Sequence, residues 1–533
     1  MDTARQLIDT LIEQDILGRT AAATQLVETH AAWIILTGEF AWKIKKPVNF
    51  GFLDYSTLEK RHFYCDEELR LNRRFAPQIY LDVVAISGSA EYPRPGGDGP
   101  VIEYAVRMRQ FPAGGLLSQL AEKGQLEVRH IDQLVGRVAG FHRDTAEAPA
   151  DAPYGEAERI HHWVSENFQH IRPLLNTPGE IEQLERIRQW TETEQQRLGP
   201  LMLRRKQQGA IRECHGDLHL GNITLIDDQV TLFDCIEFNP ELRWIDVISE
   251  VAFLVMDLED RGYRNYAFQF LNGYLQQSGD YEGLGMLRYY LVYRALVRAK
   301  VAMLRKQQAG ADQQAVQTAH AEYLQYTQLA QHSIRHGQPA LLITCGVSGT
   351  GKSTIARQLC EAAGLIQVRS DTERKRMAGL AATERSASAT GKGLYTAEQT
   401  AKTYQRLADL ASVVLQAGYA VIVDATFLQR QYRDLFRTLA DQNRVPFVIL
   451  ECQVADAEIE RRIKSRDAQG GDPSEATLDV LQEQRKAAQT LAEEEIPFSI
   501  SVNSSSGDIR QVLGELKGRL KPAAADHPPG GYF

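Results

Sequence analysis

Two stretches of this chain carry residues whose types and spacing could do chemistry. In the first, His215-Gly216-Asp217-Leu218-His219-Leu220-Gly221-Asn222 is followed by an apolar hairpin and then by Asp234. Phosphoryl transfer asks little covalent chemistry of a protein. It needs a carboxylate that orients a substrate hydroxyl, and oxygen ligands that hold magnesium on the phosphates. Asp217 is placed for the first task, and Asn222 and Asp234 for the second, since amide and carboxylate oxygens suit a hard cation such as Mg²⁺. An isolated D-x-x-x-x-N is common and reads as an Asx-turn with a surface acid; the full string with a downstream acid is far more specific. In the second stretch, Gly346-Val347-Ser348-Gly349-Thr350-Gly351-Lys352-Ser353 matches G-x-x-x-x-G-K-[ST]. It follows an apolar strand and opens a helix, the context that confirms a phosphate-binding loop. Gly346, Ser348, Gly349, Thr350, Gly351 and Thr354 then line ATP, with backbone N–H groups and the helix N-terminus facing its phosphates. Lys352 reaches the β/γ oxygens and the Ser353 hydroxyl ligates Mg²⁺.

The elements that must position these residues differ between the two halves. Strands are expected at Thr29–Leu36, Phe40–Ile44, Tyr80–Ile86 and Val101–Met108, with a charged helix from Ser56 to Phe75. A long helical stretch, Glu127–Lys206, follows, then an embedded hairpin at Ile223–Ile226 and Val230–Phe233. Strands first, then a large helical body, is an α+β order. After the polar, Gln-rich helical segment Gln307–His336 the pattern alternates: Leu341–Cys345, Ile355–Ala363, Gln367–Arg369, Thr396–Ala417, Ala420–Val423, Arg430–Gln442, Val445–Cys452. That βαβ series implies an α/β domain with a parallel sheet. The expected division is 1–335, 336–520 and a disordered, Pro/Gly-rich tail over 521–533.

Composition sets the outer bounds. With 533 residues, 43% hydrophobic and 24% charged, the chain is long enough for about two to four folded domains. A formal net charge of −9 argues against a large nucleic-acid or anionic-membrane surface. Six scattered cysteines form no C-x-x-C pair, so neither a zinc knuckle nor a disulfide framework is indicated. The N-terminus lacks a signal-peptide pattern, and the most apolar stretch, Trp244–Leu258, is interrupted by Asp246, Glu250 and Asp257. A cytoplasmic location without membrane insertion is expected.

The string H-G-D-L-H-x-G-N with Asp234 resembles the aminoglycoside phosphotransferase and choline kinase family, relatives of the protein kinases, over residues 1–335. The resemblance implies that Asp217 is the catalytic base, that Asn222 and Asp234 are metal ligands, and that His215 orders the loop. It also implies an ATP-phosphate lysine on an early strand, paired with a helical glutamate. Ala41-Trp42-Lys43-Ile44-Lys45-Lys46 supplies the lysine. Lys43 fits the position better, but Lys45 shares its strand face, and which of them contacts ATP stays open. Glu68 is the preferred partner, with Glu67 the runner-up. Glu103–Pro112 is the expected hinge that receives adenine. One departure is that no G-x-G-x-x-G covers the first hairpin; only Gly38 is available. Asp227-Asp228 reads as a turn and Asp246 as a buttress of the loop.

In the second half, Arg369-Ser370-Asp371 with Arg374-Lys375-Arg376 resembles the S-D-x-x-R-K block of small P-loop kinases such as gluconate kinases and polynucleotide 5′-kinase domains. By that resemblance Asp371 activates the acceptor hydroxyl and Arg374 clamps an anionic substrate. Asp424, ending Val421-Ile422-Val423, is Walker-B-like and contacts magnesium through water. Arg466 is the preferred lid arginine and Arg462 the second, with Arg461 beside it and Gly470-Gly471-Asp472-Pro473 following. The whole chain resembles bacterial proteins described as fused aminoglycoside phosphotransferase and AAA-type ATP-binding proteins, a resemblance that also takes in Pro47-Val48-Asn49-Phe50-Gly51-Phe52-Leu53-Asp54. It implies a protein-kinase-like domain followed by a P-loop kinase domain. The expected activity is ATP- and Mg²⁺-dependent phosphoryl transfer to small-molecule hydroxyls. A nucleic-acid 5′-hydroxyl acceptor, or a purely regulatory ATP switch, are the alternatives. The acceptor pockets are expected from Glu127–Lys206 and Ala381–Leu394, segments with no recognisable chemical code.

Overall fold

The computed structural model describes residues 2–18, 24–51, 53–112, 114–335, 337–381, 384, 396–469, 477–505 and 507–520; the side chains of 466–469 are outside the description. The tail 521–533, most of 381–394 and the segment 470–473 therefore lie outside the described residues. The chain falls into two compact units. One comprises 1–133, 144–161 and 202–257; the other comprises 134–143, 162–201 and 258–533.

The first unit is built on a six-stranded sheet of β1 (Gln25–Glu28), β2 (Ala32–Leu36), β3 (Phe40–Lys45), β4 (Tyr80–Gly88), β5 (Pro93–Pro95) and β6 (Val101–Arg109), in the order β1-β2-β3-β6-β4-β5. Every pairing is antiparallel. The strand expected over Thr29–Leu36 begins only at Ala32, because Thr29 turns the chain there: its hydroxyl and backbone N–H both donate to Ala32 O, and the unexpected strand β1 precedes that turn. Side-chain alternation on β3 sends Trp42 and Ile44 into a core with Leu7, Ile8, Trp33 and Ile86. Ala41 enters a core on the opposite face, with Cys65, Tyr80 and Val106. Lys43 and Lys45 share the Ala41 face by the same two-residue period, and the helix Leu58–Asn72 supplies Cys65 to it. Two smaller antiparallel pairs complete the unit. Strand β7 (Ile211–Glu213) pairs with β10 (Trp244–Asp246), and β8 (Ile223–Ile226) with β9 (Gln229–Leu232).

The second unit contains a five-stranded, all-parallel sheet of β11 (Leu341–Cys345), β12 (Ile366–Arg369), β13 (Val421–Asp424), β14 (Phe447–Gln453) and β15 (Ser499–Asn503), in the order β12-β13-β11-β14-β15. All residues of β11 and β13 are buried, as strands covered on both faces require. Strand β15 was not among the expected elements: Ser-Ile-Ser-Val-Asn is short and half polar, and it is a strand because β14 templates it. The helices Arg264–Ser278, Leu284–Gln308 and Gln313–Ile334 belong to this unit by their contacts. Among the described residues no helix is long and apolar enough to cross a membrane, and all six cysteines are buried without a disulfide.

Candidate active sites

In the first unit, residues far apart in sequence meet at Lys43. Its Nζ lies 2.7 Å from Glu68 Oε1 and 2.6 Å from Asp234 Oδ1. Burial works against the Lys43 ammonium, yet Asp234, Glu68 and Glu237 together hold its pKa well above the ordinary lysine value. Burial likewise opposes ionised Glu68, but Lys43 and Lys45 overcome it and hold the carboxyl down at about 2. Glu68 is fully buried. The runner-up, Glu67, bonds Arg70 and Arg243 instead.

Asp234 sits just past β9 with φ +62°, a left-handed conformation. Its backbone N–H donates to Tyr80 Oη at 3.1 Å, and the next N–H, of Cys235, donates to Asn72 Oδ1 at 2.8 Å. On the preceding loop, Asn222 Nδ2 donates to the Asp217 carboxylate at 2.9 Å and to Asp217 O at 3.0 Å. That leaves the amide oxygen of Asn222 as its metal-type donor. The loop is held from beneath. Gly216 N–H donates to Glu250 and Leu220 N–H to Asp257, each at 2.8 Å, and His215 Nε2 lies 2.8 Å from Phe233 O. Gly216 has φ +88°, and a Cβ there would lie 2.8 Å from Leu242 O. Asp246 is buried against Arg205 at 2.7 Å and caps Ile248, which anchors β10 beside β7 at the start of the loop. The segment expected to receive adenine, Glu103–Pro112, is strand as far as Arg109, and Glu103 is tied to Arg61 at 2.9 Å.

Lys45 stands apart from Lys43. It is fully buried, bonds Glu68 Oε2 at 2.7 Å and contacts Glu237 and Tyr55 Oη, while Tyr55 also donates to Glu237. Both lysines therefore grip one glutamate, Lys43 from the Asp234 side and Lys45 from the Glu237 side. Three formal negative charges (Glu68, Asp234, Glu237) meet two positive ones, and Asp234, with its side chain 44% exposed, is the most open of them. The net negative charge of the cluster, with a hard oxygen donor on its open side, suits a divalent cation such as Mg²⁺.

In the second unit the phosphate loop leaves β11 at Gly346 (φ +143°), turns at Gly349 (φ +86°) and enters the helix Lys352–Ala363 through Gly351 (φ +83°). A Cβ at Gly351 would lie 2.9 Å from Ser504 Cβ and 3.0 Å from the Arg462 guanidinium. Lys352 Nζ donates to Val347 O at 2.7 Å, Thr350 Oγ1 to the same carbonyl at 2.8 Å, and Ser348 N–H to Gln484 Oε1 at 2.7 Å. Thr354, by contrast, is exposed on the outer face of the helix. Burial pulls the Lys352 pKa below the ordinary value, and a buried lysine charge is one that an anion stabilises. Asp424 ends β13, 3.4 Å from Arg369; burial pushes its carboxyl up, against the opposing pull of Arg369 and the Ser353 hydroxyl. Hydroxyl and carboxylate oxygens here again form a donor pair suited to Mg²⁺. Asp371 begins the helix Ser370–Met377, with Arg374 3.9 Å away.

Of the arginines expected in a lid, Arg462 is, among those whose side chains are described, the one placed at the loop. It bonds Ser504 Oγ and Ser504 O at 3.1 Å and Glu458 at 2.7 Å. Arg461 pairs with Glu458 and is exposed. Arg466 lies on the helix Asp456–Gln469, its side chain outside the described residues. Sequence reasoning missed Glu237, Tyr55, Gln367 and Gln484. Glu237 lies three residues after Asp234 and Tyr55 directly follows the 47–54 segment, so adjacency to a recognised motif was the available signal for those two; Gln367 and Gln484 carried none.

Residues 341–491 match the family model described as an AAA domain. Two solved structures are similar over parts of the chain. A sugar kinase from Janibacter sp. HTCC2649 is 22% identical, covers 34% of this chain and 94% of its own, and has a TM-score of 0.26. A choline/ethanolamine kinase family protein from Mesorhizobium loti is 10% identical, covers 63% and 98%, and has a TM-score of 0.38. The uncharacterized protein Rv2004c of Mycobacterium tuberculosis is 30% identical over 453 residues, 85% of this chain and 88% of the relative. An uncharacterized protein of Mycobacterium bovis, Mb2027c, matches equally. Residues 341–491 thus carry an AAA domain, and the chain belongs to the family of these mycobacterial proteins.

Proposed function

We propose that the protein is an ATP- and Mg²⁺-dependent phosphotransferase with two nucleotide sites, a kinase-like site in residues 1–335 and a P-loop kinase site in 336–520, each passing the γ-phosphoryl group to a small-molecule hydroxyl. The observation that carries the reading is the meeting of Lys43, Glu68 and Asp234 at 2.7 and 2.6 Å. An ammonium held by a buried glutamate, beside a half-open carboxylate, is the arrangement needed to grip nucleotide phosphates.

At the first site Lys43 binds phosphate oxygens, held at its post by Glu68. Asp217, restrained by Asn222, orients the acceptor hydroxyl and takes its proton at a carboxylate oxygen. Asn222 and Asp234 are the residues that would hold magnesium, which when bound neutralises charge on the phosphate oxygens. At the second site the backbone N–H groups of Gly346–Gly351 surround the phosphates, and Lys352 leaves the Val347 carbonyl for a phosphate oxygen. Ser353 and Asp424 would hold the metal there, Asp371 receives the acceptor proton, and Arg462 screens phosphate charge. The net charge of −9 supports a small acceptor over a nucleic acid.

The test is transfer of label from γ-labelled ATP to a metabolite extract, and separately to 5′-hydroxyl oligonucleotides. Asp217→Ala should remove one set of products, by about 10²-fold or more if the group acts as a base. Lys352→Ala should remove the other. Unchanged transfer in the double variant would overturn the proposal, and label in oligonucleotides alone would reject the small-molecule acceptor.

A further inference from the structure

We propose that the P-loop site is completed by residues outside the AAA domain: Asn272 and Tyr281 hold the outer edge of β12, and through Gln367 they position the Asp424 carboxylate against Ser353. The inference rests on reading Ser353 and Asp424 as the metal-holding pair.

Strand β12 is an edge strand, paired on one side only, with β13. Backbone groups on its open side need partners when they are buried. Asn272, on the helix Arg264–Ser278, supplies them. Its Oδ1 accepts the Gln367 N–H at 2.7 Å and its Nδ2 donates to Leu365 O at 3.0 Å. The carboxamide pairs with the edge as a neighbouring strand would. Tyr281 Oη adds a further bond to the edge, donating to Gln367 O at 3.2 Å. Neither residue belongs to the matched AAA domain, which begins at residue 341.

The backbone so fixed carries a side chain with one task. Gln367 Oε1 accepts from Gln276 Nε2 at 3.2 Å, and Gln367 Nε2 donates to Asp424 Oδ2 at 3.1 Å. A carboxylate has no N–H to give, so the amide orientation is set. Asn272, Tyr281, Gln367 and Asp424 are 5, 1, 4 and 4% exposed, so the whole chain of bonds lies away from water. Gln367 is flanked by buried Ile366 and Val368. An apolar residue there would serve the fold at no desolvation cost, whereas an amide aimed at Asp424 fixes which way the carboxylate points. Gln367, Asn272 and Tyr281 are therefore positioning residues for the donor pair.

The test uses the full-length chain and a fluorescent ADP analogue as probe. Magnesium is titrated, and the signal taken is the component lost in Lys352→Ala. Gln367→Met keeps side-chain length but removes the donor to Asp424. It should raise the half-saturating Mg²⁺ concentration by about 10-fold or more, the usual effect of removing a partner behind a metal ligand. Asn272→Ala should raise it in the same direction. Thermal midpoints without nucleotide are measured alongside, since a purely structural role lowers the midpoint and leaves the Mg²⁺ dependence alone. Should Asn272→Ala not fold, Gln367→Met and Tyr281→Phe carry the test. Unaltered Mg²⁺ dependence in folded variants would overturn the inference by itself. Wild-type protein without any Lys352-dependent, Mg²⁺-dependent binding would overturn the reading of the site and the inference with it.

Discussion

Replacing Lys45 by methionine removes the ammonium that joins Glu68 to Glu237 while keeping an unbranched side chain of similar length. The packing loss is therefore small and the electrostatic loss dominates. Lys45 and Glu68 are 1% and 0% exposed and Glu237 6%, so the two carboxylates cannot turn to water for a substitute. Glu68 retains Lys43, but Glu237 keeps only the Tyr55 hydroxyl among the bonds described above. Breaking a buried pair in this way costs about 3–5 kcal/mol. Glu237→Gln alone leaves a neutral acceptor for Tyr55 and Lys45, and should cost about 1–3 kcal/mol. In the Lys45→Met background the same change removes a stranded charge, so it should restore stability. The coupling should then exceed the roughly 0.5 kcal/mol scatter expected of independent sites. Urea denaturation followed by tryptophan fluorescence reads it. The five tryptophans all precede residue 336, and Trp33 and Trp42 lie in the core of the same sheet. Additive effects, or a Lys45→Met cost below about 1 kcal/mol, would refute the idea that Lys45 is a structural partner of this carboxylate pair.

Other outcomes follow from the same geometry. Glu68 has its pKa lowered from 4.5 to about 2. Its stabilising contribution is thus complete above pH 4.5 and drains away as pH falls toward 2; Glu68→Gln should flatten the fluorescence-detected urea midpoint across that window. Gly351→Ala places a Cβ 2.9 Å from Ser504 at φ +83°, so it should cost about 1–2 kcal/mol of backbone strain and abolish the Lys352-dependent nucleotide binding. Arg433 and Glu495, 0 and 3% exposed, are bonded at 2.7 and 2.9 Å. Arg433→Met should lower stability by about 3–5 kcal/mol, read by circular dichroism, and Glu495→Gln in that background should recover part of it.

The parts of the fold legible in the sequence were those fixed locally. The strand–loop–helix around Lys352 announces itself because each residue type there serves backbone geometry or phosphate contact. The two-residue alternation in Phe40–Lys45 already put Lys43 and Lys45 on one face. It did not divide their roles, since that depends on Glu68 and Glu237 arriving from 23 and 192 residues away. Glu68 and Glu67 differ by one step of helix rotation; the structure pairs Glu68 with Lys43 and Lys45, and Glu67 with Arg70 and Arg243. The role of Asn272 is of the same kind. Nothing near it in sequence resembles a nucleotide site, and its meaning comes from an edge strand 95 residues on. Strand β15 was hidden because its pairing, and not its composition, makes it a strand.

Whether one chain holds two nucleotides is read by titration calorimetry of the full-length protein with a non-hydrolysable ATP analogue and Mg²⁺. Two equivalents should bind per chain, one of them lost in Lys352→Ala and the other in Lys43→Ala. A stoichiometry of one in the wild type, or of two in both variants, would contradict the two-site reading.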